Sequence, residues 1–244
     1  MKLITCGTSC GFPKKNRFTS CEFLLAGDSL YVIDAGAPVA DLIVRTPMPA
    51  KRLRAVFITH PHGDHIGSLP AFVDLLNGYY TLGDVQFFLP NQACVDYAKF
   101  LTQTVHGERI NDTFRFSVYG DGVIYQDENI TVSAVPNEHC ENSYSLIFQA
   151  EGKTLLLSGD LRKDYQDLPA CATDGSVDFI LLECAHQSYQ TVKERLPALR
   201  AKQIKLNHLG RQIPEEALSD LLTPLAPALA CPVSLSEDGE VIEI

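Results

Sequence analysis

Short apolar runs rich in β-branched and aromatic residues alternate along this chain with amphipathic stretches of roughly ten to fifteen residues. Runs of the first kind favour strands, and the longer periodic stretches favour helices. We predict strands over residues 2–6, 21–25, 29–34, 53–59, 85–89, 130–135, 143–149, 153–158, 178–183 and 203–206. We predict helices over residues 64–77, 91–105, 189–200 and 214–225. The pattern therefore indicates an α+β fold.

Four of the predicted strands end just before a residue of a type that binds metals. Strands 53–59, 130–135, 153–158 and 203–206 lead, in that order, to His60, His139, Asp160 and His208. Strand ends held by a packed sheet position side chains more rigidly than a long loop does, as a metal centre requires. The polar residues at these strand ends are therefore candidate metal ligands.

The densest group of such residues is the run His60-Pro61-His62-Gly63-Asp64-His65, between a predicted strand and a predicted helix. His60 and His62, two apart in an extended turn, can point towards one cation. Asp64 and His65, at the start of the helix, can face a second. A single histidine is usually a core or surface residue, but four potential ligands at this spacing, with no apolar periodicity to explain them, indicate a metal site.

The full set of candidate ligands comprises five histidines and two aspartates: His60, His62, His65, His139, His208, Asp64 and Asp160. Seven groups suffice for two sites of three or four protein ligands each, with room for a shared water. Nitrogen and oxygen donors without thiolate suit zinc, manganese or iron. We predict two divalent metal ions, with zinc as the first choice and manganese or iron as alternatives.

Composition limits the kind of protein and the kind of partner. With 244 residues, 45% of them hydrophobic and 20% charged, the chain is expected to form one domain over residues 1–244. It shows neither a cleavable signal nor an apolar stretch of about 18 residues, so we expect a cytoplasmic protein without membrane contact and with reduced cysteines. The net charge of -10 opposes unspecific attraction to nucleic acid and favours a small substrate.

These motifs resemble those of the metallo-β-lactamase superfamily of metal-dependent hydrolases, and they recur in order over nearly the whole chain. The resemblance implies a four-layer αββα sandwich. It also implies that Asp34, in the run from Val32 to Gly36, stands behind the ligands. By the same resemblance, one metal would be bound by His60, His62 and His139 and the other by Asp64, His65 and His208, with Asp160 bridging them.

Two further runs narrow the resemblance to one branch. The glycine-rich segment from Gly7 to Arg17 and the segment from Gly63 to Pro70 are similar to those of ribonuclease Z and its cyclic-phosphodiesterase relatives. Ribonuclease Z carries a long tRNA-gripping arm between its third histidine motif and the bridging aspartate. Here the predicted strands already occupy the gap from His139 to Asp160. We therefore expect a small-molecule or nucleotide substrate rather than tRNA; a homodimer would also be in keeping with the superfamily.

Residues around the predicted metals depart from the ribonuclease Z pattern. That enzyme has a histidine immediately before the glutamate that matches Glu183, and the two act in proton transfer; here the position is Leu182, and His186 follows three places after Glu183. Either His186 serves as the general acid or it anchors the loop. Lys14 and Arg17 lie on a loop that the family places near the metals, where they would bind a phosphate; a solvated turn is the alternative.

Together these features predict a hydrolase in which two cations share a water that attacks a phosphodiester in line. Asp160 would set the metal separation, Asp64 would orient the attacking oxygen, and His186 would protonate the leaving alkoxide. The rival enzyme hypothesis is hydrolysis of a thioester or a lactone by the same centre. Metallo-lactonases, however, carry a tyrosine where this chain has Lys163. A hypothesis of another class is a non-catalytic metal-binding or sensing protein.

Overall fold

The computed structural model describes residues 1–12, 14–46, 50–79 and 84–244. Within these ranges the strands are β1 (Lys2–Gly7), β2 (Cys21–Ala26), β3 (Ser29–Ile33), β4 (Leu53–Phe57), β5 (Val85–Leu89), β6 (Phe114–Val118), β7 (Gly122–Gln126), β8 (Thr131–Pro136), β9 (Tyr144–Ala150), β10 (Lys153–Leu157), β11 (Phe179–Glu183), β12 (Gln203–Asn207), β13 (Val233–Leu235) and β14 (Glu240–Glu243).

The described strands form two seven-stranded sheets with the same internal plan. The first has the order β14-β1-β2-β3-β4-β5-β6 and the second the order β13-β12-β11-β10-β9-β8-β7. In each sheet one half is antiparallel and the other half is parallel. The parallel halves gather the carboxyl ends of their strands at one edge, which is where ligand sites form in such sheets.

Helices cover the outer faces of both sheets. They are α1 (Val39–Ile43), α2 (Gly63–Ile66), α3 (Leu69–Tyr79), α4 (Gln92–Phe100), α5 (Cys171–Asp174), α6 (Tyr189–Arg195) and α7 (Glu215–Leu225). A π-helical turn, Leu101–Val105, extends α4, and short 3-10 turns occur at Ala50–Arg52, Lys163–Tyr165, Leu196–Ala198 and Ala226–Ala228. In the part of the chain described, no helix has the length and apolar character needed to cross a bilayer.

Three apolar cores separate four layers. Between the sheets, Phe57 stacks on Phe88 with ring centres 5.2 Å apart and meets Phe148 edge-on at 5.9 Å. Outside the first sheet, Phe72 of α3 belongs to the core that covers it. Outside the second, Val192 of α6 belongs to the corresponding core. The predicted α+β class and the αββα sandwich are confirmed.

Several elements that bury little of their surface escaped prediction. None of the three residues of β13 is fully buried, and β6, β7 and β14 each bury one residue. Such edge strands are held by backbone pairing, which leaves little trace in hydrophobic periodicity. The short helices α1 and α5 were also missed, whereas each of the ten predicted strands corresponds to one in the structure.

The helix predicted over 64–77 is broken into α2 and α3. The Ser68 amide donates to the Ala35 carbonyl at 2.8 Å, and the Ser68 hydroxyl also donates to that carbonyl at 2.8 Å. These bonds take the place of the helical hydrogen bond that the Ser68 amide would otherwise make. As a result α2 is fastened to the segment after β3, which fixes the position of its polar side chains.

Gly36 lies at the centre of that attachment. The Ala35 amide donates to the His65 carbonyl at 2.6 Å, so the chain after β3 runs directly against α2. A Cβ on Gly36 would stand 1.7 Å from the Asp64 carbonyl oxygen and 2.9 Å from the Thr19 hydroxyl oxygen. Only glycine therefore fits at this crossing.

We expect Gly36→Ala to lower the free energy of unfolding by about 1–3 kcal/mol, because the added methyl group must push α2 away. Gly78→Ala is the matched control, since a Cβ there meets nothing within 4 Å. Alanine in that last turn of α3 should stabilise by up to about 1 kcal/mol. Urea denaturation of both variants measures the difference. Equal stability of Gly36→Ala and the wild type would contradict this packing.

Candidate metal centre

All seven predicted ligands lie together at the edge where strands of both sheets end. His60, His139, Asp160 and His208 follow β4, β8, β10 and β12, respectively, and α2 carries Asp64 and His65. Four of the seven, His60, His65, His208 and Asp160, are nearly inaccessible to solvent, each exposed by 3% or less, whereas Asp64 has 18% of its side chain exposed. The sandwich thus buries a polar cluster at its rim.

One group of ligand atoms surrounds a common point. His62 Nδ1 lies 3.0 Å from His60 Nε2 and 3.1 Å from His139 Nε2. Asp160 Oδ2 lies 3.7 Å from His60 Nε2 and 3.6 Å from His139 Nε2. These four atoms are all within 4.8 Å of one another. Three imidazole nitrogens and one carboxylate oxygen at this spacing can hold a metal ion.

A second group lies beside the first. Asp64 Oδ2 is 3.7 Å from both His65 Nε2 and His208 Nε2. Asp160 reaches this group as well, with Oδ1 3.4 Å from His65 Nε2 and Oδ2 3.2 Å from His208 Nε2. The carboxylate of Asp160 is therefore in contact with both groups.

The chemistry of the donors fits a cation better than it fits a hydrogen-bond network. A single proton on His62 Nδ1 can serve only one of the two imidazole nitrogens that face it. His208 Nε2 is buried and makes no hydrogen bond within the described residues, although Asp160 Oδ2 stands 3.2 Å away, because the angles are unsuitable. Buried polar atoms are rarely left in this way, and these nitrogens could hold a metal ion. Their types suit zinc, manganese and iron alike.

The pKa values of the ionisable groups in the cluster are shifted in different directions. Burial raises the pKa of Asp160, but the charges of His208 and His65 outweigh burial and hold that pKa well below its usual range. Burial lowers the pKa of His65, yet Asp160 and Asp34 raise it well above normal. Burial and the charge of His65 keep the pKa of His60 well below normal. The surrounding carboxylates thus favour positive charge at the position of His65, where a proton and a metal ion would compete.

Other side chains orient the ligands from behind. Asp34, held at a positive φ of 56°, accepts a hydrogen bond from His65 Nδ1 at 2.7 Å and another from the Thr59 amide at 2.8 Å. The Thr59 hydroxyl lies 3.1 Å from His60 Nδ1, and the Ser20 hydroxyl lies 2.9 Å from His208 Nδ1. Such partners fix which ring nitrogen faces the metal. Sequence reasoning missed Thr59, although a polar residue directly before His60 in an apolar strand was a usable signal.

His186 enters the site from the loop after β11. Its Nδ1 is 3.3 Å from Glu183 Oε2 and 3.7 Å from Asp160 Oδ2, and its ring centre is 4.5 Å from that of His139. A third of the side chain, 33%, is exposed. Burial lowers the pKa of His186, but its hydrogen bond to Glu183 and the charges of Glu183 and Asp160 raise it above normal. The structure thus places a partly exposed His186 beside the ligand cluster.

Glu183 itself is buried and acts as the anchor of that loop. It accepts hydrogen bonds from the His186 amide at 3.2 Å and from Gln187 Nε2 at 2.7 Å. Glu183 anchors the loop while the His186 ring stays partly exposed. The hypotheses that His186 is a general acid and that it anchors the loop therefore do not exclude each other.

The two basic side chains predicted to bind phosphate, Lys14 and Arg17, form ion pairs with the protein itself. Lys14 Nζ lies 2.7 Å from Glu215 Oε1, and Arg17 Nη2 lies 2.9 Å from Glu215 Oε2. Arg17 Nη1 also donates to the Thr8 hydroxyl at 2.6 Å. These contacts fasten the loop to α7, and a role of either residue in substrate binding stays a prediction.

A small cavity of about 20 Å³ lies behind the cluster. Glu22 and Asn207 line it, and Asn207 Nδ2 donates to Glu22 Oε1 at 2.8 Å. Burial, followed by the charge of Asp34, raises the pKa of Glu22 well above normal. Sequence reasoning missed both residues, although a glutamate inside the apolar strand 21–25 was a signal. The cavity is large enough for one water.

Comparison with solved structures identifies the fold. The metallo-β-lactamase fold protein YhfI from Bacillus subtilis superposes with a TM-score of 0.78 over 99% of both chains at 18% identity. The short form of human tRNase Z superposes with a TM-score of 0.75 over 100% of this chain and 99% of that one, also at 18% identity. This chain is a metallo-β-lactamase fold protein of the hydrolase superfamily, close to the ribonuclease Z branch.

Sequence comparison gives the family. The model of the family described as Anti-Pycsar protein Apyc1 matches residues 1–222, and the chain belongs to that family. Ribonuclease Z from Anoxybacillus flavithermus is 28% identical over 166 residues, and that from Shouchella clausii is 29% identical over 168 residues. The alignments cover 66% and 67% of this chain and 53% of each relative. The chain thus spans about half the length of the curated relatives it matches.

We expect Asp34→Asn to weaken metal binding by about 10- to 100-fold. Asparagine tolerates the positive φ at this position but offers one acceptor oxygen where His65 and Thr59 require two. Competition with a chromophoric chelator measures the affinity. Asp74→Asn is the control, because Asp74 makes a similar contact, 3.0 Å, to His106 away from the ligands. The same affinity in both variants would argue against an orienting role for Asp34.

Proposed function

We propose that this chain is a two-metal hydrolase that cleaves a phosphodiester of nucleotide size, with zinc as the first-choice metal and residues 1–244 acting as one domain. The observation that carries the proposal is the position of Asp160, whose carboxylate contacts two neighbouring groups of ligand atoms. A carboxylate shared in this way is suited to bridging two cations. The membership in the hydrolase superfamily supports it further.

When bound, a pair of divalent cations supplies an activated water and neutralises charge on phosphate oxygens. The protein's part is to hold and orient. His60, His62 and His139 would hold one cation, and His65 and His208 would hold the other together with Asp64. Asp64 keeps part of its carboxylate open, with 18% of the side chain exposed. It would orient the attacking water by accepting a hydrogen bond from it.

His186 would donate the proton that the leaving oxygen takes. Glu183 holds the ring through Nδ1, and Nε2 makes no hydrogen bond to the described residues. Because the pKa of His186 is raised, its ring holds a proton up to a higher pH than the ring of a free histidine does. A general acid needs this combination of a fixed ring, a free N–H and access from solvent.

The size of the substrate follows from what surrounds the centre. β9 and β10 fill the chain between His139 and Asp160, so this stretch provides no arm for gripping a folded RNA. Glu215 of α7 forms ion pairs with both Lys14 and Arg17. The curated relatives are ribonuclease Z enzymes, so precursor tRNA belongs in the test.

The proposal is tested with a panel of bis-p-nitrophenyl phosphate, nucleoside 3′,5′-cyclic phosphates, precursor tRNA, a thioester and a homoserine lactone. We expect about two equivalents of bound metal and turnover of the small phosphodiesters. Turnover of the lactone or thioester alone would overturn the choice of substrate. Bound metal without any turnover would favour a sensing protein.

His62→Ala should reduce bound metal to about one equivalent and lower turnover by at least about 100-fold, since one site loses a ligand that no neighbour replaces. Metal analysis and steady-state kinetics measure the two effects, and circular dichroism checks the fold. His106→Ala, which removes a histidine outside the cluster, should leave both quantities unchanged. Retained metal and turnover in His62→Ala would contradict the ligand assignment.

His186→Gln should slow cleavage of an alkyl diester by about 100- to 10,000-fold, as expected for the loss of a general acid. Cleavage of a p-nitrophenyl ester should change far less, because p-nitrophenolate departs without a proton. The comparison of kcat on the two leaving groups separates proton donation from loop anchoring. Equal losses on both substrates would assign His186 to anchoring alone.

A further inference from the structure

An exposed aromatic ring and a guanidinium group form a pair at the rim of the metal centre. Arg211 Cζ lies 3.1 Å from the centre of the Phe12 ring. Phe12 is 53% exposed, which is unusual for so large an apolar side chain. Neither residue is used by the hydrolytic centre described above.

Backbone pairing holds the two loops that carry this pair. The Leu209 amide donates to the Thr8 carbonyl at 2.8 Å, and the Cys10 amide donates to the Leu209 carbonyl at 3.4 Å. The Ser9 hydroxyl donates to the Phe12 carbonyl at 2.7 Å. The pair is therefore built on anchored segments, so its position relative to the centre is defined.

Both residues are close to the metal ligands. A Cβ on Gly11 would lie 3.2 Å from Asp64 Oδ2, which places the Cα of Phe12 within about 8.5 Å of that carboxylate. Arg211 follows the ligand His208 by three residues, and Gly210 packs against Ala185, directly before His186. The backbone of the pair thus lies near the centre, on the side of Asp64 and His208.

Within the described part of the chain, no acidic side chain forms an ion pair with Arg211. Lys14 and Arg17 on the adjacent loop pair with Glu215, and Arg162 pairs with Glu138. Across the described ranges, Arg211 makes no ion pair or hydrogen bond and contacts the ring of Phe12 instead. An aromatic face beside an unpaired guanidinium is a surface on which nucleobases stack, with about 1–3 kcal/mol per base.

We propose that Phe12 and Arg211 form a platform for the base of a nucleotide substrate whose phosphate lies at the metal centre. This inference rests on the proposed function, because it requires a phosphate at the metals. It adds a specificity determinant: substrates that carry a base are selected over equally charged diesters without one. The shape of the platform does not distinguish one base edge from another, so it selects bases as a class.

The test compares a nucleoside 3′,5′-cyclic phosphate with ribose 3′,5′-cyclic phosphate, which lacks the base. Phe12→Ala and Arg211→Ala should each lower kcat/KM for the nucleotide by on the order of tenfold, mainly through KM, as expected when one stacking contact is lost. Cleavage of the base-free diester should stay within about twofold of the wild type. Phe12→Tyr should restore the nucleotide rate, since the aromatic face returns. Phe100→Ala removes an equally exposed ring from α4 and should change neither rate.

Calorimetric titration with a cyclic phosphorothioate nucleotide gives a readout that does not depend on turnover. Binding should weaken by about tenfold in Phe12→Ala, with unchanged metal content. Losses of equal size on both substrates, or no loss on the nucleotide, would overturn the platform. Base-dependent binding without hydrolysis of any diester would support the platform and refute the proposed function.

Discussion

The carboxylate of Asp160 is the group around which the site is arranged. Burying an isolated carboxylate costs several kcal/mol, and the protein offsets that cost by surrounding it with imidazoles. Nitrogen atoms of His60, His65, His139, His186 and His208 all lie 3.2–3.7 Å from its oxygens. The same arrangement that makes the buried charge tolerable also directs the nitrogen lone pairs towards a common region. Both the stability of this edge and its ability to bind metal therefore depend on the Asp160 side chain.

Asp160 belongs to the second sheet, and two of its five histidine partners belong to the first. His60 and His65 come from the end of β4 and from α2, which is fastened to the segment after β3 through Ser68 and Ala35. Asp34 then holds His65 from the opposite side. A small shift of one sheet over the other would separate donors that now lie within 4 Å. The aromatic core between the sheets, centred on Phe57, is thus part of what keeps the ligands in place.

Much of this site was predictable because its signals are local. The run from His60 to His65 is contiguous, and the other ligands follow continuous apolar strands. What could not be predicted depends on contacts between distant segments. Glu215 pairs with Lys14 and Arg17 from a helix about two hundred residues away, and no local pattern shows that partner. The helix predicted over 64–77 failed for the same reason, since the acceptor that diverts the Ser68 amide lies on another element. Edge strands such as β13 left no hydrophobic signal.

The pairing of β14 with β1 joins the two extremes of the sequence, for example Lys2 with Glu243. Closing so long a loop reduces the stability of the folded state only slightly, because each doubling of loop length adds only about 0.6 kcal/mol of entropy cost. In kinetic terms it is demanding, since folding rates fall as contacting residues become more distant in sequence. During synthesis one edge of β1 stays unpaired until β14 has emerged from the ribosome. An unpaired strand edge is a route to aggregation, so the speed of elongation and the presence of chaperones would influence how much of this protein reaches its native state.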